Sequence, residues 1–280
     1  MANPQTLFIQ GIVVIFGLVG LYYLYQYLFG GATLSATTLI GTKQSASPPQ
    51  PTIIPASGMP ALYEGGEFTI SMWVYVQNWA VRNGFNKHIL SIGGKTQDTI
   101  QIYLGPQQPT LQVRVNSSGG GAGKGQTSTN NMATKAHAQV FERMQTGADL
   151  ASTDDSNGCD LPAIDLQRWV NLVVCVNSKT VDVYIDGKLA RSCVLPSFYR
   201  VDGGGYQATL LNYGGFGGYV STVSMYGVAL GPDTIYHSYM AGPQPITNFM
   251  DYLKSFFQPS PQGPYTSLFV LTGNKFPRKR

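Results

Sequence analysis

The chain is short of charge, of cysteine and of glutamate, and each shortage closes a class of function. Charged residues are 11% of its 280 positions, against about a quarter in typical soluble proteins. A formal net charge of +4 makes no case for nucleic acid, whose binders neutralise runs of phosphates. The surplus is also local, because Lys275, Arg278, Lys279 and Arg280 crowd one end. The only glutamates are Glu64, Glu67 and Glu142, so no strand carries acidic residues at alternate positions. A glycosidase needs two carboxyls about 5–9.5 Å apart. Asp182 and Asp186 share a strand face but stand about 13 Å apart at ~3.3 Å per residue. His88, His137 and His237 are scattered without ligand spacing, and no nucleophile–base pair is visible. The expectation is a protein that is not an enzyme and holds no cofactor.

Three cysteines, Cys159, Cys175 and Cys193, are too few and odd in number for a disulfide scaffold. Cys175 lies in an apolar run and suits a buried thiol. Cys159 and Cys193 would pair in an oxidising compartment; the reading adopted is three reduced thiols facing the cytosol. "TDDSNGCD", residues 153–160, resembles a calcium loop, but Thr153 takes the first ligand position. Asp155, Asn157 and Asp160 are weak calcium candidates, and a solvated loop built on Asp and Asn turns is the expectation. "GGGAGKG" fails the phosphate-loop pattern, with Ser118 where glycine is needed and Gly125 where a hydroxyl is needed.

What the sequence does hold begins with a long uncharged start. Residues 1–42 contain no Lys, Arg, Asp, Glu or His. Within them residues 6–30, "TLFIQGIVVIFGLVGLYYLYQYLFG", give roughly 36 Å of helix against a hydrocarbon core of ~30 Å. Tyr22, Tyr23, Tyr25 and Tyr27 gather at one end, where tyrosine suits the headgroup region. One transmembrane anchor is expected over 1–30, uncleaved because a basic leader region is lacking. Lys43 alone weakly favours a cytosolic domain, and Asn116-Ser117-Ser118 is a glycosylation sequon that matters only if the domain faces outward. Residues 31–61, rich in Ser, Thr, Ala and Pro, are expected to form an extended spacer.

From 62 to 243 short strand patterns recur with turns between them. "EFTISMWVYV" places Phe68, Ile70, Met72, Val74 and Val76 on one face. Residues 169–176 are almost continuously apolar, as in a strand covered on both sides. "VDVYIDG" alternates Val181, Val183 and Ile185 with Asp182, Tyr184 and Asp186, and Asp186-Gly187 signals a tight hairpin. A flexible insertion at 116–164 breaks the series and has room for one short helix. These signals specify a mainly β protein, an antiparallel sandwich of jelly-roll kind.

The order "GEFTISMWVYV", "HILSIGG", "TIQIYLGPQQPTLQVRV", "RWVNLVVCVNSKTVDVYIDGKLA", "LLNYGGFGGYVSTVSMYGVALGPDTI" resembles the concanavalin A-like, laminin-G-type β-sandwich. The resemblance implies two packed sheets with a short helical turn after the last strand. It leaves function open, since lectins, hydrolases and inert spacers share such sandwiches. A lectin site would need aromatic faces, for which Trp79, Tyr184, Tyr213 and Phe216 are the candidates, with glycans as partners.

After the sandwich, 244–280 combine an amphipathic helix with a basic arm. Ile246, Phe249, Met250, Leu253, Phe256 and Phe257 fall at helical spacing. Together with Lys275, Arg278, Lys279 and Arg280 they are the expected partner-binding residues. The layout is similar to minor capsid proteins of large icosahedral DNA viruses, which tie an internal membrane to a protein shell. That similarity implies a structural role with lipid bilayer and capsid lattice as partners. The alternative is a surface lectin, which predicts a Cys159–Cys193 bond, a glycan at Asn116 and exposed aromatics on one face.

Overall fold

A computed structural model describes residues 4–29, 35–117, 140–145 and 158–243, with side chains of the first segment described over 11–24. Helix α1 (Pro4–Phe29) is apolar on every side. All of residues 11–24 are exposed, Val13, Phe16 and Tyr23 among them. The residues of α1 whose side chains are described, 11–24, fall short of the 18-residue apolar stretch that a membrane-crossing helix needs, and among the described residues no other helix is long and apolar enough to cross a membrane.

Among the described residues twelve strands follow: β1 (Ala36–Ile40), β2 (Gln44–Ser45), β3 (Thr52–Pro55), β4 (Glu67–Asn78), β5 (Lys87–Gly93), β6 (Asp98–Leu104), β7 (Leu111–Val115), β8 (Trp169–Asn177), β9 (Thr180–Ile185), β10 (Lys188–Val194), β11 (Gln207–Leu210) and β12 (Gly217–Tyr226). They make two antiparallel sheets. One is seven-stranded in the order β1-β12-β4-β8-β9-β10, with β2 beside β12; the other is five-stranded in the order β3-β11-β5-β6-β7. Phe68, Ile70, Met72, Val74 and Val76 all point into the core, where they join Leu90, Ile92, Ile100, Ile102 and Val113 of the facing sheet. Each such side chain contributes about 1.5–3 kcal/mol by leaving water.

β8 is apolar on its other face as well, because helix α2 (Pro232–Met240) lies there. Val173, Cys175 and Tyr184 meet Leu230 and Ile235 in a second buried cluster. Two residues join β9 to β10, Asp186 at φ 51° and Gly187 at φ 74°, the positive pair that a tight hairpin requires.

Two expectations change. Residues 31–61 were expected as a free spacer, yet β1 and β2 pair with β12 and β3 pairs with β11. "ATTLI", ahead of the prolines, and "TIIP", among them, are rich in β-branched residues, and Pro55 closes an edge strand, where a missing N–H is tolerated. The thiols are also not all reduced, because Cys159 and Cys193 form a disulfide while Cys175 stays free and buried. The insertion brings this about. Residues 158–161 run back along β7, with Cys159 N donating to Val113 O at 2.8 Å and bridges at Leu111–Leu161 and Arg114–Gly158. That path sets Cys159 beside β10.

Candidate functional site

The chain enters the sandwich at Ala36, opposite Tyr226 of β12. Seven residues back along β12, roughly 23 Å at ~3.3 Å per residue, Tyr219 sits directly opposite Tyr75 of β4, and Tyr75 opposite Trp169 of β8. The three rings make a row across three adjacent strands, with centroids 6.2 Å and 5.5 Å apart. All three are partly buried. The row depends on glycine, since a Cβ on Gly218 would lie 1.9 Å from the Tyr75 carbonyl oxygen. Only glycine therefore lets β12 close on β4 beside Tyr219.

A cation stands at each end of the row. Lys43, placed by β2, holds its Nζ 4.1 Å from the centre of the Tyr219 ring. Arg168 precedes Trp169 and is gripped by Asp165 and Asp186, with Nη2 donating to Asp186 Oδ2 at 2.6 Å. Asp186 Oδ1 also accepts from the Asn171 backbone N–H at 2.9 Å, which ties the hairpin turn to the start of β8. The arrangement is an aromatic platform flanked by two cations, of which Arg168 is held by carboxylates and Lys43 lies over the Tyr219 ring.

At the same end, the β6–β7 loop and the returning segment 160–162 flank an open cavity of about 540 Å³, lined by Gln107, Gln108, Thr110, Gln112, Asp160 and Arg191 among others. Asp160 is paired with Arg114 and also accepts from the Val113 backbone N–H.

The outer face of the five-stranded sheet is polar but covered. Phe141 is fully buried against it, edge-on to His88 and Tyr103 at 5.0 and 5.1 Å and stacked on Tyr213 at 5.3 Å. The Val140 carbonyl accepts from Asn86 Nδ2 at 3.0 Å, and that of Phe141 accepts from Arg82. Burial pushes the Tyr103 phenol up to about 12, so this hydroxyl stays protonated.

The sequence-derived stacking candidates fare unevenly. Phe216 is fully buried in the core and Tyr184 is buried beneath α2; neither offers a ring to a ligand, because alternation assigns a face without saying what covers it. Tyr213 is spent on Phe141. Trp79 is half-buried, with Lys87 Nζ 4.0 Å from its ring centre and its own Nε1 donating to the Gln107 carbonyl at 3.0 Å. The structure brings none of the four together, and it assembles Tyr75, Trp169 and Tyr219 instead. Their sequence signal is slight: Tyr75 is the polar-face residue between Val74 and Val76, and the other two lie near strand starts.

Of the calcium candidates, Asp160 is engaged by Arg114, and Asp155 and Asn157 lie outside the described residues. Among the described residues no group of three or more potential metal ligands gathers. The arm residues Ile246, Phe249, Met250, Leu253, Phe256, Phe257, Lys275, Arg278, Lys279 and Arg280 also lie outside them. Asn116 of the sequon is buried, with Nδ2 donating to Gln97 Oε1 at 3.2 Å, so the folded chain offers no free glycan acceptor there.

No family model and no curated protein matches this chain. Among solved structures it is similar to the receptor binding domain of botulinum neurotoxin D, at 10% identity and a TM-score of 0.47, over 75% of this chain and 48% of that one. The serotype D ligand binding domain in complex with N-acetylneuraminic acid is similar at 9% identity and 0.46, over 75% and 47%. The binding domain of neurotoxin DC in complex with SialylT is similar at 11% and 0.40, over 76% and 48%. The chain spans about half the length of these domains, and the likeness is distant.

Proposed function

We propose that this protein is a membrane-anchored β-sandwich that recognises carbohydrate outside the cytosol. The Tyr219–Tyr75–Trp169 row is the observation that carries the proposal. Sugar rings present flat C–H faces to aromatic rings, and hydroxyls at the margin take donors such as Lys43 and the Arg168 guanidinium. The Cys159–Cys193 bond supports an outward domain, because disulfides persist in oxidising compartments. Helix α1 supports the anchor: it is apolar all round, and large side chains such as Val13 and Phe16 stand exposed along it, a surface that needs an apolar medium. The antiparallel two-sheet architecture supports the concanavalin A-like resemblance. The minor-capsid role has nothing in its favour among the described residues.

The test is glycan-array binding by the full chain in detergent or nanodiscs, with Tyr75→Ala and Trp169→Ala as variants. Wild type is expected to retain a defined set of glycans. Either variant should lose about tenfold or more in affinity, consistent with ~1–3 kcal/mol for a stacking ring, while unfolding at nearly the same temperature. Wild-type chain that retains no glycan, or retains the same set after both substitutions, would sink the proposal and return attention to a structural linker.

A further inference from the structure

The cavity beside the aromatic row has both of its walls fixed. On one side Gly105 N donates to Thr110 O at 2.8 Å and Thr110 N to Gln108 O at 2.7 Å, which closes the β6–β7 loop on itself. Trp79 Nε1 and Lys87 Nζ hold that loop from behind through the carbonyls of Gln107 and Pro106. On the other side Leu161 exchanges backbone hydrogen bonds with Leu111, Ile164 N donates to Pro109 O at 2.8 Å, and the disulfide pins Cys159. A site so tethered loses little order when a ligand enters. Its volume of about 540 Å³ is that of a small-molecule pocket.

The lining has a definite chemistry. Three glutamine amides and the Thr110 hydroxyl both donate and accept, which matches sugar hydroxyls. The charge is one-sided. Arg114 already neutralises the Asp160 carboxylate. Arg191 lines the same cavity, is exposed and donates Nη1 to the Asp160 main-chain oxygen. A main-chain oxygen carries no compensating charge, and the remaining Arg191 donors have no protein acceptor among the described residues. A pocket with neutral hydroxyl-binding groups and a guanidinium that meets no carboxylate among the described residues selects an acidic sugar over a neutral one, because a carboxylate meets the fork of Arg191 with charge-assisted hydrogen bonds.

We propose that this cavity is a second carbohydrate site, specific for a sugar unit bearing a carboxylate. The ligand class rests on the carbohydrate reading above, but the residues are different ones. The probes are methyl glucuronide and methyl glucoside, titrated by calorimetry into the full chain in nanodiscs. The glucuronide is expected to bind about tenfold more tightly, the worth of one hydrogen bond to a charged group, and the gap should narrow as salt is raised. Arg191→Gln should bring the two sugars to parity, Arg191→Lys should keep part of the preference, and Gln112→Ala should weaken both. The glucuronide preference should persist in Trp169→Ala, where the aromatic row is disabled and the cavity is read alone, so a failed row and a failed cavity give different results. Equal binding of the two sugars by wild type, a preference that survives Arg191→Gln, or no saturable heat with either sugar would overturn the proposal. Thermal unfolding of each variant separates lost binding from lost fold.

Discussion

Lys87 carries an ammonium group out of water. Its side chain is fully buried, Nζ donates to the Pro106 carbonyl at 3.3 Å and lies 4.0 Å from the centre of the Trp79 ring. Burial, and then the nearby charge of Arg82, lower its pKa to about 8; in an unfolded chain it would be near 10.4. Below pH 8 both states hold the proton and the native state bears the whole cost of the hidden charge. Between about 8 and 10.4 only the unfolded chain holds it, so stability rises with pH across that window. The rise is at most about 1.4 kcal/mol per pH unit crossed. Lys87→Met removes the titration. The melting temperature of the variant minus that of wild type should therefore fall as pH goes from about 7 to 10. A difference that stays flat across that range would show that Lys87 keeps an ordinary pKa.

At the scale of the element, the sandwich wall is legible in the sequence and its decoration is not. The alternation of β4 and β9, the continuous apolar run of β8 and the Asp186-Gly187 turn each follow from local residue order, and the structure keeps all of them. The aromatic row follows from register. Tyr75, Trp169 and Tyr219 are far apart in sequence and become neighbours only when β12 and β8 pair with β4 at one particular offset. Residues 36–55 form strands where the sequence predicts a spacer, because a composition of Ser, Thr and Pro suits a spacer and an edge strand equally well. Local order names Cys159 and Cys193 as a possible pair without deciding it, because only the return of 158–161 along β7 brings Cys159 to Cys193, which sits on β10 in the other sheet. That bond closes a loop with a sequence separation of 34, for which loop-closure entropy gives roughly 3–4 kcal/mol. Cys159→Ser with Cys193→Ser should lower stability in denaturant by about that amount. The pair should also loosen the Asp160 wall of the cavity, which hydrogen exchange at Val113 and Leu161 would register as faster exchange. Unchanged exchange there would mean that the Leu111–Leu161 bridge holds the segment unaided.

Across the whole molecule, the row and the cavity share the end of the sandwich opposite to where the chain enters from α1. Strand β4 ends there, β7, β8 and β12 begin there, and Ala36 enters at the other end of β12. A domain tethered at one end and reading glycans at the other would project its sites from the membrane and leave them free to act side by side with those of neighbouring copies. The physical consequence is avidity. Once one copy holds a multivalent glycan, the next meets its ligand at an effective concentration set by the tether, and apparent affinity rises by about 10²–10⁴ without a new contact. Liposomes bearing many copies should bind a glycan polymer far more tightly than nanodiscs bearing one, while a monovalent glycan binds both alike. Surface plasmon resonance on immobilised polymer measures the first and calorimetry the second. If liposomes and single-copy nanodiscs held the polymer equally well, the two sites could not be facing outward from a shared membrane plane. The tethered-reader arrangement would then fail even with both sites intact.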